Sequence, residues 1–203
     1  MRELSNNCRG WPMQRCLTIG AAVLALATQL SGCLPLVAAG AASVALVATD
    51  RRSAGAQLDD AAIEGRISGE ADSRFGDKAH VSVTSYNGVV LLTGEVPDES
   101  AREAMATLAR STDRVRGVQN ELQVAPPAGL TERTNDAYLT SVVKTRFLES
   151  NDKFSATHVK VVTDRKVVYL MGLVKRAEAD AAAAIAASTK GVARVVKVFE
   201  YLD

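Results

Sequence analysis

Histidine and cysteine are nearly missing from this chain of 203 residues, which has two of the first and three of the second. A catalytic or metal site needs a nucleophile with a base, a paired acid and base, or several ligands close together. His80 and His158 each stand just before a strand-like segment, one in each of two repeats, with no second ligand nearby. Neither makes a metal or catalytic site on that pattern. No glycine-rich nucleotide-binding loop occurs, and the carboxylates are scattered over predicted helix faces and turns, as on solvated surfaces. These shortages point away from catalysis and imply no cofactor. Apolar runs are short as well: Cys16–Leu30 and Leu34–Thr49 each fall below the roughly 20 residues a helix needs to cross a bilayer. With 47% hydrophobic and 23% charged residues, the composition is that of a folded chain with room for one or two small domains.

What is present is a duplication. Residues 81–96 read VSVTSYNGVVLLTGEV and residues 159–174 read VKVVTDRKVVYLMGLV. Without a gap they share Val81/Val159, Val83/Val161, Val89/Val167, Val90/Val168, Leu92/Leu170, Gly94/Gly172 and Val96/Val174. Most of these positions step by two, the period of a strand buried on one face, so each copy is predicted to be a hairpin. Asn87-Gly88 supplies a tight turn in the first copy. Asp164-Arg165-Lys166 lacks glycine, and a looser turn, or one of another type, is expected there. The shared glycine either ends the second strand or lets another backbone come close.

Residues 1–32 read as an export signal: Arg9 and Arg15 precede the run Cys16–Leu30, which ends in Leu30-Ser31-Gly32-Cys33. That tetrapeptide resembles the bacterial lipobox, in which the cysteine is lipidated and the chain is cut before it. The alternative, a buried or membrane-spanning helix with an incidental cysteine, fits the short run and its small-residue end poorly. Met13 is a possible true start. Removal of the signal takes Cys8 and Cys16 with it, leaving Cys33 without a disulfide partner. Residues 33–49 are then a lipidated tether. Leu34, in place of aspartate, resembles the signature of transfer to the outer membrane.

The rest divides into a first domain at 50–125, a linker at 126–129 built on Pro126-Pro127, and a second domain at 130–203. Helices are predicted over about 57–71 (Leu58, Ala62, Ile63 and Ile67 on one side), 98–111, 134–150 (Leu139, Val143 and Phe147, with Thr134 or Asn135 as N-cap) and 177–188. Each domain thus reads helix, strand, strand, helix, strand, an α+β class with two helices on one face of a three-stranded mixed sheet. Residues 50–125 hold 9 Lys/Arg and 13 Asp/Glu, net −4, whereas residues 130–203 hold 12 and 9, net +3. Aligning Ile63 with Val143 and Ile67 with Phe147 turns Asp59, Asp60 and Glu64 into Leu139, Thr140 and Lys144. Tyr138 and Val142 widen the apolar face of that helix, with Lys144 and Arg146 close by. Such a face suits either the headgroup level of an anionic membrane or a contact with the first domain.

The element order, the glycine after the hairpin and Gly-Val opening the last strand resemble the BON domain, a small module of bacterial envelope proteins. Two such domains behind a lipobox resemble the dual-BON outer-membrane lipoproteins. Asp50-Arg51-Arg52-Ser53, Asn135-Asp136 and Tyr169-Leu170-Met171-Gly172-Leu173-Val174 are the nearest points of likeness. The resemblance implies a non-enzymatic, lipid-anchored protein of the outer membrane facing the periplasm, which supports envelope integrity. It also implies anionic phospholipid bound by the first helix of the second domain, around Asn135-Asp136-Ala137-Tyr138-Leu139-Thr140. The candidate residues are Cys33 for lipidation and Thr134, Asn135, Tyr138, Leu139, Val142, Lys144, Thr145 and Arg146 for lipid. Partners implied are an anionic phospholipid membrane and outer-membrane assembly or division-site proteins, with no nucleic acid. The rival expectation is a periplasmic adaptor or chaperone that uses the same helix on protein.

Overall fold

In each repeat a buried aspartate on the first helix reaches the tip of the hairpin and fixes it. The computed structural model describes residues 50–150 and 153–203; the expected signal, Cys33 and the tether lie outside the described residues. The first repeat runs α1 (Ala54–Phe75), β1 (His80–Tyr86), β2 (Val89–Val96), α2 (Glu99–Ser111), then a last strand broken into β3 (Gly117–Asn120) and β4 (Gln123–Val124). The second runs α3 (Leu130–Glu149), β5 (Lys160–Asp164), β6 (Val167–Val174), α4 (Arg176–Ala187) and β7 (Arg194–Tyr201). In both sheets the central strand pairs antiparallel with its hairpin partner and parallel with the last strand. The α+β order and the two mixed sheets are as expected.

Alternation along the central strands divides the protein into three layers of side chains. Val90, Leu92 and Val96 face Ile63, Ile67 and Met105 of α1 and α2. Val168, Leu170 and Val174 likewise face Val143 and Phe147 of α3 and the alanines of α4. Burying each such large side chain contributes about 1.5–3 kcal/mol. The other parity points away from the helices. There Leu91 and Tyr86 meet Val167, Tyr169, Met171 and Leu173 in a third buried cluster, so the two sheets pack through their helix-free faces. Glu95, wholly buried in this seam, accepts from Arg165 Nε at 2.7 Å and from the Ala128 N–H at 3.0 Å. Asp164 accepts the Gly94 N–H at 3.1 Å, and burial there pushes its carboxyl above the ordinary range.

The second turn is as tight as the first. Asn87 and Gly88 have φ of 53° and 76°, and Arg165 and Lys166 have 47° and 63°, the left-handed pair that a two-residue type I′ turn requires. The expectation of a looser turn is corrected. A left-handed conformation costs a residue with a Cβ about 1–2 kcal/mol, and a carboxyl group accepting from both turn N–H groups offsets it. Asp136 accepts from Arg165 N at 2.8 Å and Lys166 N at 2.9 Å. Asp60 accepts from Asn87 N at 2.7 Å, Gly88 N at 2.8 Å and Ser85 Oγ at 2.6 Å. Burial opposes the charge on Asp60, yet these donors and Arg52 hold its carboxyl below the ordinary range.

This shared role corrects the helix alignment by one turn. The buried faces are Asp60, Ile63, Ile67, Ala71 in α1 and Asp136, Leu139, Val143, Phe147 in α3, with identical spacing. Ile63 therefore corresponds to Leu139, and Asp60 persists as Asp136. Of Asp59, Asp60 and Glu64, two are replaced, Asp59 by Asn135 and Glu64 by Thr140. Leu58 and Ala62 are exposed, not core. Helix α3 also begins four residues before the expected Thr134. Extended Gly129, with its N–H on Glu132 Oε2 at 2.9 Å, caps it and leaves Thr134 and Asn135 inside the helix.

Gly94 and Gly172 lie within continuous strands, so close approach is the reason for them. A Cβ would sit 1.9 Å from His80 O at Gly94 and 2.3 Å from His158 O at Gly172. Ahead of α1, two arginines join the repeats. Arg51 donates to Glu178 at 2.7 and 2.8 Å and to Leu173 O at 2.9 Å; Arg52 donates to Asp60 at 2.8 Å and stacks 4.0 Å over the Tyr86 ring.

Gly172→Ala is expected to cost about 3 kcal/mol or more, because the blocking atom is backbone, whereas Gly117→Ala, with open space at its Cβ, should change little; urea midpoints compare the two. Arg51, by its hydrogen bonds, lowers the Glu178 carboxyl from 4.5 to about 2. A depressed carboxylate contributes stability above its unfolded pKa that is lost as pH falls through the folded one. Arg51→Gln should therefore cost about 1–2 kcal/mol at pH 7, with the difference from wild type closing between pH 4.5 and 2; urea unfolding across that range reads it.

Candidate functional site

Because α3 buries Asp136, Leu139, Val143 and Phe147, its opposite side is free. At 100° per residue, Leu130, Thr134, Ala137, Tyr138, Ser141, Thr145 and Leu148 fall within one arc of about 100°. All seven are exposed, Leu130 to 79% and both Tyr138 and Leu148 to 65%. None is charged, along a helix of 20 residues. The hydroxyls of this strip are turned inward: Thr134 donates to Leu130 O at 2.8 Å, Ser141 to Ala137 O at 3.0 Å and Thr145 to Ser141 O at 3.0 Å. A hydroxyl satisfied by its own helix loses little when water is withdrawn. The strip therefore presents methyl, isobutyl and phenol groups to the outside.

Charge of both signs flanks the strip, with exposed Glu149 next to its Tyr138 edge at 100° per residue. Lys144 borders one side, exposed and in no ion pair among the described residues. On the other side, a groove of about 660 Å³ opens between α3 and the loop after α4, with Tyr138 and Val142 on one wall and Lys190 and Gly191 on the other. Arg146 lies in it, its guanidinium fastened to the end of α4.

Of the eight expected lipid contacts, Thr134, Tyr138 and Thr145 share the strip; Asn135, Tyr138, Val142 and Arg146 line the groove. Leu139 also borders the groove, but at 3% exposure it is a core residue, with its Cδ2 against Gly191. Tyr138 does not pack on the first repeat, because the helix-free sheet faces make that contact instead. Leu130, Leu148 and Lys190 were not foreseen. A helix taken to start at Thr134 leaves Leu130 out, while the i, i+10 spacing of Tyr138 and Leu148 was a legible signal. In α1 the counterparts of Tyr138, Val142 and Leu148 are Ala62, Arg66 and Asp72, so the first repeat lacks the bulky apolar part of the strip.

The BON domain family model matches residues 59–126 and 135–203. Outer membrane lipoprotein DolP of Haemophilus influenzae is 39% identical over 176 residues, covering 86% of this chain and 91% of that protein. The 21 kDa hemolysin of Actinobacillus pleuropneumoniae is 37% identical over 156 residues, 76% of this chain and 80% of the relative. Osmotically-inducible protein Y of Escherichia coli is 30% identical over 142 residues, 68% of this chain and 70% of the relative.

An exposed strip residue should be dispensable for folding and a core one should not. Tyr138→Ala is expected to shift stability by no more than about 0.5 kcal/mol, and Leu139→Ala to cost about 2–5 kcal/mol. Denaturant midpoints of the two variants check this.

Proposed function

The chain belongs to the BON-domain family as a DolP-like protein with two such domains, and from that premise we propose that it is a non-enzymatic lipoprotein of the outer membrane. Cys33 carries the acyl chains, the folded domains face the periplasm, and the second domain binds anionic phospholipid through α3, in support of envelope integrity. The observation that carries this reading is the uncharged strip with its inward-turned hydroxyls, which has Tyr138 at its groove edge, Lys144 along its other edge and Arg146 and Lys190 in the groove beside it. Tyrosine suits the headgroup level, where its ring lies in an apolar layer and its hydroxyl stays wet. Each cation close to an anionic surface contributes about 1 kcal/mol. The net charge of −4 over 50–125 against +3 over 130–203 favours the second domain at the membrane. Acylation and the strip are separate weak contacts on one chain, and effective concentration lets each strengthen the other.

Residues 49–203 form one compact unit, so the fragment 50–203 is the reagent for flotation with vesicles. It should float with vesicles containing phosphatidylglycerol, stay behind with pure phosphatidylcholine, release as salt rises, and lose binding in Tyr138→Glu. Absence of flotation with either vesicle would refute the lipid reading and favour a protein contact on the same strip.

A further inference from the structure

The groove beside Tyr138 has one polar element that is held rigidly in place. Arg146 donates from Nη1 to Ile185 O at 3.1 Å and Thr189 Oγ1 at 2.7 Å, and from Nη2 to Ser188 Oγ at 3.0 Å. The anchor is firm, since Thr189 is 4% exposed and its own hydroxyl donates to Ile185 O at 3.0 Å. These bonds use three of the five N–H donors of a guanidinium. The Nε–H and one Nη2–H remain, neighbouring donors on a planar group that suits two oxygens of a phosphate. The side chain is already ordered, so binding would cost it little rotamer entropy.

The surroundings favour an anion with a bulky substituent. Ile185 O, at the negative end of α4, accepts from Arg146, Ser188 and Thr189 together, which offsets its repulsion of a phosphate. No carboxylate lines the groove. Lys190 on the far wall is exposed and forms no ion pair among the described residues. At about 660 Å³ the space exceeds what a bare phosphate fills and lies in the range of small-ligand sites. Its other rim is Tyr138, where the uncharged strip begins.

We propose that this groove is the headgroup pocket of the second domain: Arg146 and Lys190 take the phosphodiester of an anionic phospholipid, while Tyr138 and the strip of α3 lie against its glycerol and acyl region. This rests on the lipid reading of α3 and adds to it a defined phosphate site on the loop after α4. Lys190 thereby becomes a specificity residue lying outside the helix that meets the bilayer.

The test is amide-shift titration of the full chain carrying Cys33→Ser, with dihexanoyl phosphatidylglycerol below its micelle concentration, dihexanoyl phosphatidylcholine, and inorganic phosphate as separate probes. Phosphatidylglycerol should shift Ser188, Lys190 and Gly191 together with Tyr138, saturably and more tightly than the other two probes. Lys190→Ala should weaken it about fivefold. Arg146→Lys, which keeps the charge and loses the fork, should weaken it about tenfold. Shifts at Tyr138 without any at 188–191, or unchanged affinity in Lys190→Ala, would overturn the pocket while leaving lipid binding by α3 intact. Equal response to phosphatidylcholine, or tighter binding of inorganic phosphate, would overturn its assignment to an anionic headgroup. Absence of any shift along α3 would remove both readings at once.

Discussion

A three-stranded sheet covered by helices on one side still has a second face; here that face is apolar in the second repeat, and in the first it carries Leu91 and Tyr86 beside Thr93 and Glu95. Leu91 on β2 and Val167, Tyr169, Met171 and Leu173 on β6 could not stay in water at a tolerable cost. The duplication resolves this by setting the two faces against each other. Everything outside the seam follows: all four helices of the described residues point outward, and α3 is left with a free side. Had the second repeat covered its sheet in another way, the strip around Tyr138 would have no reason to be exposed.

The seam is apolar at its centre and polar around it. Glu95 with Arg165, Asn87 with Glu200, Tyr169 with Glu121, and Arg51 with Glu178 each join one repeat to the other. Such pairs contribute modestly to stability, but removal of one partner of a buried pair leaves an uncompensated charge, which favours a single register over sliding. Arg51 and Arg52 extend this to the start of the first domain, where adjacent side chains bind opposite repeats. The chain leading from the expected anchor thus enters the fold at the junction of the two domains.

The two repeats share a fold and differ in what they show to the outside. Both use an aspartate on the hairpin tip, glycine under the neighbouring backbone, and a helix face spaced three, four and four residues apart. The first repeat keeps Ala62, Arg66 and Asp72 where the second has Tyr138, Val142 and Leu148. A scaffold retained twice, with one copy made apolar on the free side of a single helix, is the arrangement expected when one copy supports and the other contacts.

Strand alternation and Asn87-Gly88 were enough to determine the hairpins, and the helical stripes around them the element order, because period-two and 3.6-residue burial and tight-turn chemistry are local properties of the chain. The family followed from resemblance of the motifs, not from periodicity. Tyr138 was legible too, as an aromatic beside a helical stripe. The tight turn at Arg165-Lys166 was not, because what stabilises it is a carboxylate 29 residues earlier in the chain. For the same reason Asp60 read as a surface acid, although its environment is supplied by a distant hairpin. Lys190 and the groove exist only where α4 returns beside α3, and no spacing in the sequence encodes that meeting. Tertiary structure alone decided which face of each sheet meets the other, and therefore which face of α3 is left exposed, because that choice is made by long-range packing, not by local periodicity.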